Sequence, residues 1–229
     1  MGEHTELLPD PLPGEPLEVV ARWLADAWAA GRQPNANGMV LATATRDGRP
    51  AARVVLCKEI VPQPGFVVFY TNYHSSKGRQ LSDNPRAAVV MHWDALERQV
   101  RIEGPITQGS EQDSDRYFAS RAWQSRIGAW ASAQSEPLTS RARLLDAVKQ
   151  AANRFGTPLP GTPAAQAAGD FQIARPPHWG GFRLWAESVE LWVAGAARIH
   201  DRARWTRTLK AAGRSAFEGG PWQATRLQP

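Results

Sequence analysis

The chain has 229 residues, 42% of them hydrophobic and 21% charged, enough to bury a sizeable core, and its net charge of +5 favours anionic partners. One cysteine, Cys57, excludes an internal disulfide and a cysteine-rich zinc site, and the five His show no metal-ligand spacing. No apolar run approaches ~18 residues and the basic residues are scattered, so a cytoplasmic protein with neither membrane nor nucleic-acid partner is expected.

Residues 1–14 are polar and Pro-rich and read as an irregular arm. From Glu15 to Ala30, Val20, Trp23, Leu24, Ala27 and Trp28 follow helical spacing, which predicts an amphipathic helix with both Trp buried and Gly31 ending it. A β-rich block follows. Met39–Ala44 and Ala52–Cys57 read as strands around an Asp47-Gly48 turn, Phe66–Thr71 as the next, and Ala87–His92 and Arg98–Glu103 as a further pair. Short strands joined by turns predict an antiparallel barrel or sandwich. Ser110 opens a helix to about Ser120; a second is capped by Thr139 or Ser140 and ends at Gly156. Residues 157–177 read as a Pro/Gly/Ala-rich surface loop, and Phe182–Trp185, Val189–Val193, Arg198–Trp205 and Trp222–Leu227 as strands. A single mainly β domain with peripheral helices is expected over 15–229.

Four groups of side chains carry possible chemistry. After Thr71, Asn72-Tyr73-His74-Ser75-Ser76-Lys77-Gly78 ends a strand and opens a helix. Such a turn suits a phosphate, or is simply a Ser cap with solvated cations behind it. Strand alternation would put Arg198, His200 and Arg202 on one face, where an anion or electron-rich ring would relieve their repulsion. Tyr117 and Arg121 are spaced i, i+4 on one helix face, with Ser125 beyond its end, and could clamp a phosphate. Arg53 and Lys58, five apart, fall on opposite faces of a regular strand unless a bulge re-aims one. Cys57 between them reads as packing.

Taken in order, Arg53-Val-Val-Leu-Cys-Lys58, Phe69-Tyr-Thr-Asn72, Ser75-Ser-Lys-Gly78, Asn84-Pro-Arg86, Leu96-Glu-Arg-Gln-Val100, Tyr117-Phe-Ala-Ser-Arg121, Ser125-Arg-Ile-Gly-Ala-Trp130, Gln134-Ser135, Trp179-Gly-Gly-Phe-Arg183, Glu190-Leu-Trp192 and Arg198-Ile-His-Asp-Arg202 resemble the pyridoxamine 5′-phosphate oxidase family. The resemblance implies an antiparallel, Greek-key-like FMN-binding split β-barrel, and a homodimer with FMN in each of two clefts between subunits. It assigns FMN contacts to Arg53, Val54, Val55, Leu56, Cys57, Lys58, Tyr70, Thr71, Ser76, Lys77, Gln99, Gln134, Ser135, Trp192 and Arg202. Substrate contacts would be Lys58, Tyr117, Arg121, Ser125, Arg198 and His200, with Arg198 and His200 as the catalytic pair. The implied reaction oxidises pyridoxamine 5′-phosphate or pyridoxine 5′-phosphate to pyridoxal 5′-phosphate, with O2 as acceptor and H2O2 as product. A related flavin oxidase of the phenazine type is the alternative, and a non-catalytic basic barrel binding nucleic acid a third. Departures from the family pattern are Ser76, where an Arg is common, Ala122-Trp123 in place of a Pro-containing turn, a short N-terminal arm, and long segments at 157–177 and 206–221.

Overall fold

Alternation sets the first strand: in β1 (Gly38–Ala44), Met39, Leu41 and Thr43 are buried while Val40 and Ala42 turn outward. The computed structural model describes residues 6–229. Two units emerge, one of residues up to 69, Gln80–Thr107 and Phe182–Pro229, the other of Tyr70–Arg79 and Gln108–Gly181.

In the first unit β1 pairs antiparallel with β2 (Pro50–Leu56) through the turn at Gly48, whose φ of 86° suits glycine. The remaining strands are β3 (Glu59–Val61), β4 (Phe66–Asn72), β5 (Arg86–Trp93), β6 (Arg98–Gln108), β7 (Trp179–Trp185), β8 (Ser188–Val193), β9 (Asp201–Thr206), β10 (Leu209–Ala211), β11 (Phe217–Gly219) and β12 (Gln223–Leu227). Ten of them form one sheet with the path β12-β9-β8-β6-β5-β1-β2, and β7 joins β4 to β6. Register carries one buried row across it: Leu41 opposes Val89, Val89 opposes Ile102, Ile102 opposes Val189, and Val189 opposes Trp205. Helix α1 (Pro16–Ala30), capped by Glu15, buries Leu17, Val20, Trp23 and Ala27, and Asp26 anchors Arg98 at 2.7 Å. Trp28, expected on that face, is half exposed: one 100° step past Ala27 takes it off the stripe.

The second unit holds the start of α2 (Ser76–Asp83), then α3 (Glu111–Ala119), α4 (Trp123–Ala131), α5 (Arg141–Arg154) and α6 (Pro163–Ala167). Its core gathers Phe118, Trp123, Ile127, Ala151, Ala165, Ile173 and Trp179. Helix α4 has no sequence signature, because Ala122 supplies no capping side chain and Gly128 interrupts it. Stretch 157–177, expected as a surface loop, holds α6 and buries Ala165 and Ile173, and Asp170 within it pairs with the buried Arg126. Apolar side chains beyond its prolines pin it to the core.

Of the arm expected over 1–14, residues 1–5 lie outside the described residues. Residues 6–14 form neither helix nor strand, and Leu8 N–H donates to Asp201 at 2.8 Å. Among the described residues no helix is long and apolar enough to cross a membrane, and no group of three His, Cys, Asp or Glu could hold a metal ion.

Candidate functional site

At the end of β4, Tyr70 and Thr71 are neighbours, so strand alternation turns them to opposite sides. Thr71 belongs to a polar cluster. Lys77 Nζ donates to Gln134 Oε1 at 2.9 Å and to Thr71 Oγ1 at 3.2 Å, and Thr71 Oγ1 lies 3.2 Å from Gln134 Oε1. Three residues expected to touch one cofactor thus meet within the second unit. The turn before them is built for it: Ser75 Oγ donates to Asn72 O and accepts Gly78 N–H at 3.3 Å. A Cβ on Gly78 would sit 2.0 Å from Tyr73 O, so only glycine lets α2 approach. The cap reading of this turn is therefore correct at Ser75, and Lys77 projects beside it. Ser76 is the first helical residue, and Ser135 holds a left-handed φ of 74°.

Tyr70 belongs to an aromatic plate. Its ring stacks on Tyr117 at 4.0 Å and on Trp179 at 5.5 Å, and the Arg121 guanidinium lies over Trp179 at 4.7 Å. Arg121 Nη1 is buried with no hydrogen-bond partner, and burial pushes the guanidinium below the ordinary arginine range, Tyr117 opposing the shift. Arg121 follows the end of α3 instead of lying on its face; the helix stops at Ala119 with Ser120 as its cap. The expected i, i+4 pair is corrected accordingly: plate stacking, not helix spacing, brings Tyr117 and Arg121 together. Ser125 is exposed in the first turn of α4.

In the first unit, Arg53 donates from Nη2 to Gln80 Oε1 at 3.0 Å and from Nη1 to Thr43 Oγ1 at 2.6 Å, and burial lowers its pKa. Gln80 went unnoticed in the sequence; its position one turn beyond the Lys77 loop was the available signal. Strand β2 ends at Leu56, so Arg53 and Lys58 do not share a strand, and Lys58 N–H donates to Val68 O at 2.8 Å. The expected opposition of their faces does not apply. Between them Val54 is exposed, Val55 and Leu56 are half-buried, and Cys57 is buried.

Gln99, Trp192 and Arg202 lie side by side on neighbouring strands: Gln99 opposes Trp192, and Trp192 opposes Arg202. Arg202 Nη2 donates to the buried Glu190 at 2.8 Å and Nη1 to Gln228 O at 3.0 Å, while its buried Nε has no partner. The expected alternation of Arg198, His200 and Arg202 along one strand is corrected. Strand β9 starts at Asp201, and Ala196–Arg198 form a tight turn with left-handed φ values of 54° at Ala197 and 65° at Arg198. Arg198 is exposed there, and the His200 ring rests on Trp192 at 4.6 Å.

The sequence matches the family described as "Pyridoxamine 5'-phosphate oxidase" over residues 25–155, and "Pyridoxine 5'-phosphate oxidase C-terminal dimerisation region" over residues 179–229. It is 46% identical over 215 residues to the pyridoxine/pyridoxamine 5'-phosphate oxidase of Burkholderia cenocepacia strain HI2424, covering 94% of this chain and 89% of that protein. The chain belongs to the pyridoxamine 5′-phosphate oxidase family. The crystal structure of PhzG from Burkholderia lata 383, in complex with tetrahydrophenazine-1-carboxylic acid, is 30% identical and covers 100% of both chains with a TM-score of 0.79. A pyridoxamine 5'-phosphate oxidase-related, FMN binding protein from Nostoc punctiforme shares the fold at 18% identity and a TM-score of 0.64, covering 93% of this chain and 96% of that one. The fold is thus mainly β, the antiparallel split barrel of this family.

Proposed function

We propose that residues 15–229 act as one FMN-dependent oxidase domain within a homodimer, converting pyridoxamine 5′-phosphate and pyridoxine 5′-phosphate to pyridoxal 5′-phosphate with O2 as acceptor and H2O2 as product. The observation that carries the reading is Arg121: a guanidinium stacked on Trp179 beside Tyr117, with a buried Nη1 that no protein group satisfies. A buried donor of that kind suits an anionic tail, and the forked geometry of arginine suits phosphate.

The donor set fits FMN. Lys77 and Thr71, with Gln134 and Ser135, would hold the phosphate and its surroundings, and Arg53, Val54, Val55, Leu56, Cys57, Lys58, Ser76 and Tyr70 are the further FMN contacts of this reading. Arg202 has a buried Nε without a partner, consistent with a further polar contact there. Bound, FMN would supply the hydride acceptor at the substrate's C4′ carbon. The chain's own work is positioning: Tyr117, Arg121, Ser125 and Lys58 bind the substrate phosphate, and Arg198 and His200 orient its ring. Binding energy from the remote phosphate helps align the reacting carbon.

Homodimerisation is supported by the sheet itself. Arg53 lies on the buried side of the first unit's sheet, whereas Gln99, Trp192 and Arg202 lie on its other side. One cofactor touched by both sets takes them from two copies of the chain.

A second reading, a flavin oxidase acting on a phenazine precursor, is favoured by the whole-chain similarity to PhzG. Purified protein should be yellow, release FMN on denaturation, and form peroxide with pyridoxamine 5′-phosphate. A colourless protein that refuses FMN defeats both readings. A yellow one that oxidises only dihydro- or tetrahydrophenazine carboxylates selects the second.

A further inference from the structure

We infer that His200 meets its substrate as a hydrogen-bond donor through Nε2, its proton placed there by the backbone of Gly195, and takes no proton from it. What His200 contacts rests on the oxidase reading above; which nitrogen carries the proton does not. Gly195 N–H donates to His200 Nδ1 at 3.2 Å. An amide N–H can only donate, so Nδ1 must offer its lone pair, and the single proton of a neutral ring is left on Nε2.

The turn that makes this contact is tightly specified. Ile199 N–H closes onto Ala196 O at 3.0 Å, and Ala197 and Arg198 both take the left-handed backbone that non-glycine residues seldom adopt. A Cβ on Gly195 would fall 1.8 Å from Ile199 O, so the chain comes closer there than any other residue permits. Backbone strain of this kind persists where surrounding structure holds it. The ring also leans on Trp192, tilted 41° to it. Flipping the ring would replace Nδ1 by a carbon and forfeit the Gly195 bond.

On the oxidase reading, His200 and Arg198 are the two candidates to assist proton removal from the substrate. With Nδ1 engaged and Nε2 protonated, His200 has no free lone pair, and a guanidinium has none either. Both therefore serve as donors that hold and polarise the substrate. The proton released from its amine or hydroxyl leaves to solvent. Gly195 is the positioning residue for this arrangement, acting through the imidazole.

The test reads the ring directly. Holoprotein carrying 15N-labelled histidine is examined by two-bond 1H–15N correlation at mildly alkaline pH, and the His200 signals are those lost in His200→Asn. Expected is a single tautomer, with Nδ1 at an unprotonated shift and Nε2 at a protonated one. The opposite assignment, or two nitrogens averaged to a common shift, overturns the inference. Adding pyridoxal 5′-phosphate should then move the Nε2 resonance while Nδ1 stays unprotonated; an unmoved Nε2 overturns the donor role. Because no turnover is needed, loss of the oxidase reading and loss of the nitrogen assignment are separate results.

Discussion

Arg53 and Arg202 stand on opposite faces of one antiparallel sheet, five strand-to-strand steps apart along the path β9-β8-β6-β5-β1-β2. At ~4.8 Å per step this is about 24 Å measured along the sheet. Arg53 shares its row with buried Leu41 and Val89, whereas Arg202 shares its row with Trp192 and Gln99. On the proposed reading, two guanidiniums so placed would reach one flavin only from two copies of the chain.

Complementation follows from that placement. Arg53→Ala and Arg202→Ala homodimers should each bind FMN poorly. A dimer combining one copy of each carries one doubly damaged site and one intact site. Co-expressed in equal amounts, the two variants should therefore recover about a quarter of wild-type sites. Flavin content per protomer measures this, and a mixture no better than its parents would place both arginines elsewhere.

Glu190 should act on flavin binding through Arg202. Its carboxylate is buried between Arg101 at 3.3 Å and Arg202 at 2.8 Å, and it is the group that fixes Arg202 Nη2. Glu190→Ala should raise the FMN dissociation constant about tenfold, with a coupling to Arg202→Ala of roughly 1–3 kcal/mol. In the Arg202→Ala background the same change should then cost little. Equal costs in both backgrounds, read by flavin fluorescence titration, would mean Glu190 only stabilises the sheet.

Much of this architecture was legible because alternation is a strong signal in β1, β5 and β6, whose inward residues are apolar. Three-residue strands such as β3, β10 and β11 have too few positions to alternate, and α4 lacks a cap. Within the site, the Ser75–Lys77 turn was readable from local chemistry alone. The Tyr70–Tyr117–Trp179 plate was not, since its members are far apart in sequence and meet only by packing. Arg198 and His200 misled the strand reading because the left-handed pair at 197–198 falls on Ala and Arg, residues that carry no turn signal.

Arg121→Ala should separate substrate binding from chemistry. On the oxidase reading, the lost interaction would be made to the substrate phosphate in ground and transition states alike, so KM for pyridoxamine 5′-phosphate should rise about 10- to 100-fold with kcat little changed. The cost to folding should be small, because the cation–π contact over Trp179 is lost while a buried donor without a partner is removed with it. An unchanged KM, with the urea midpoint preserved, would remove Arg121 from the phosphate clamp.

Cys57 lies inside the segment expected to touch FMN, yet its thiol should be inert in the folded protein. Burial pushes it from the ordinary 9.0 up to about 12, with a backbone hydrogen bond at Glu59 and the Lys58 charge opposing. At neutral pH almost no thiolate exists, and Ellman's reagent should react only as fast as the chain unfolds. The same shift makes stability depend on pH in a defined direction. The folded state favours the neutral thiol, so its contribution is complete below the unfolded pKa and declines as pH rises through the folded one. Between pH 9 and about 12 the loss approaches about 1.4 kcal/mol per pH unit. Other groups titrate in that range, so Cys57→Ala is the reference, and its urea midpoint should fall less steeply than wild type. Parallel curves for the two proteins, or rapid labelling of the native thiol, would show that Cys57 is reached by water and free to ionise.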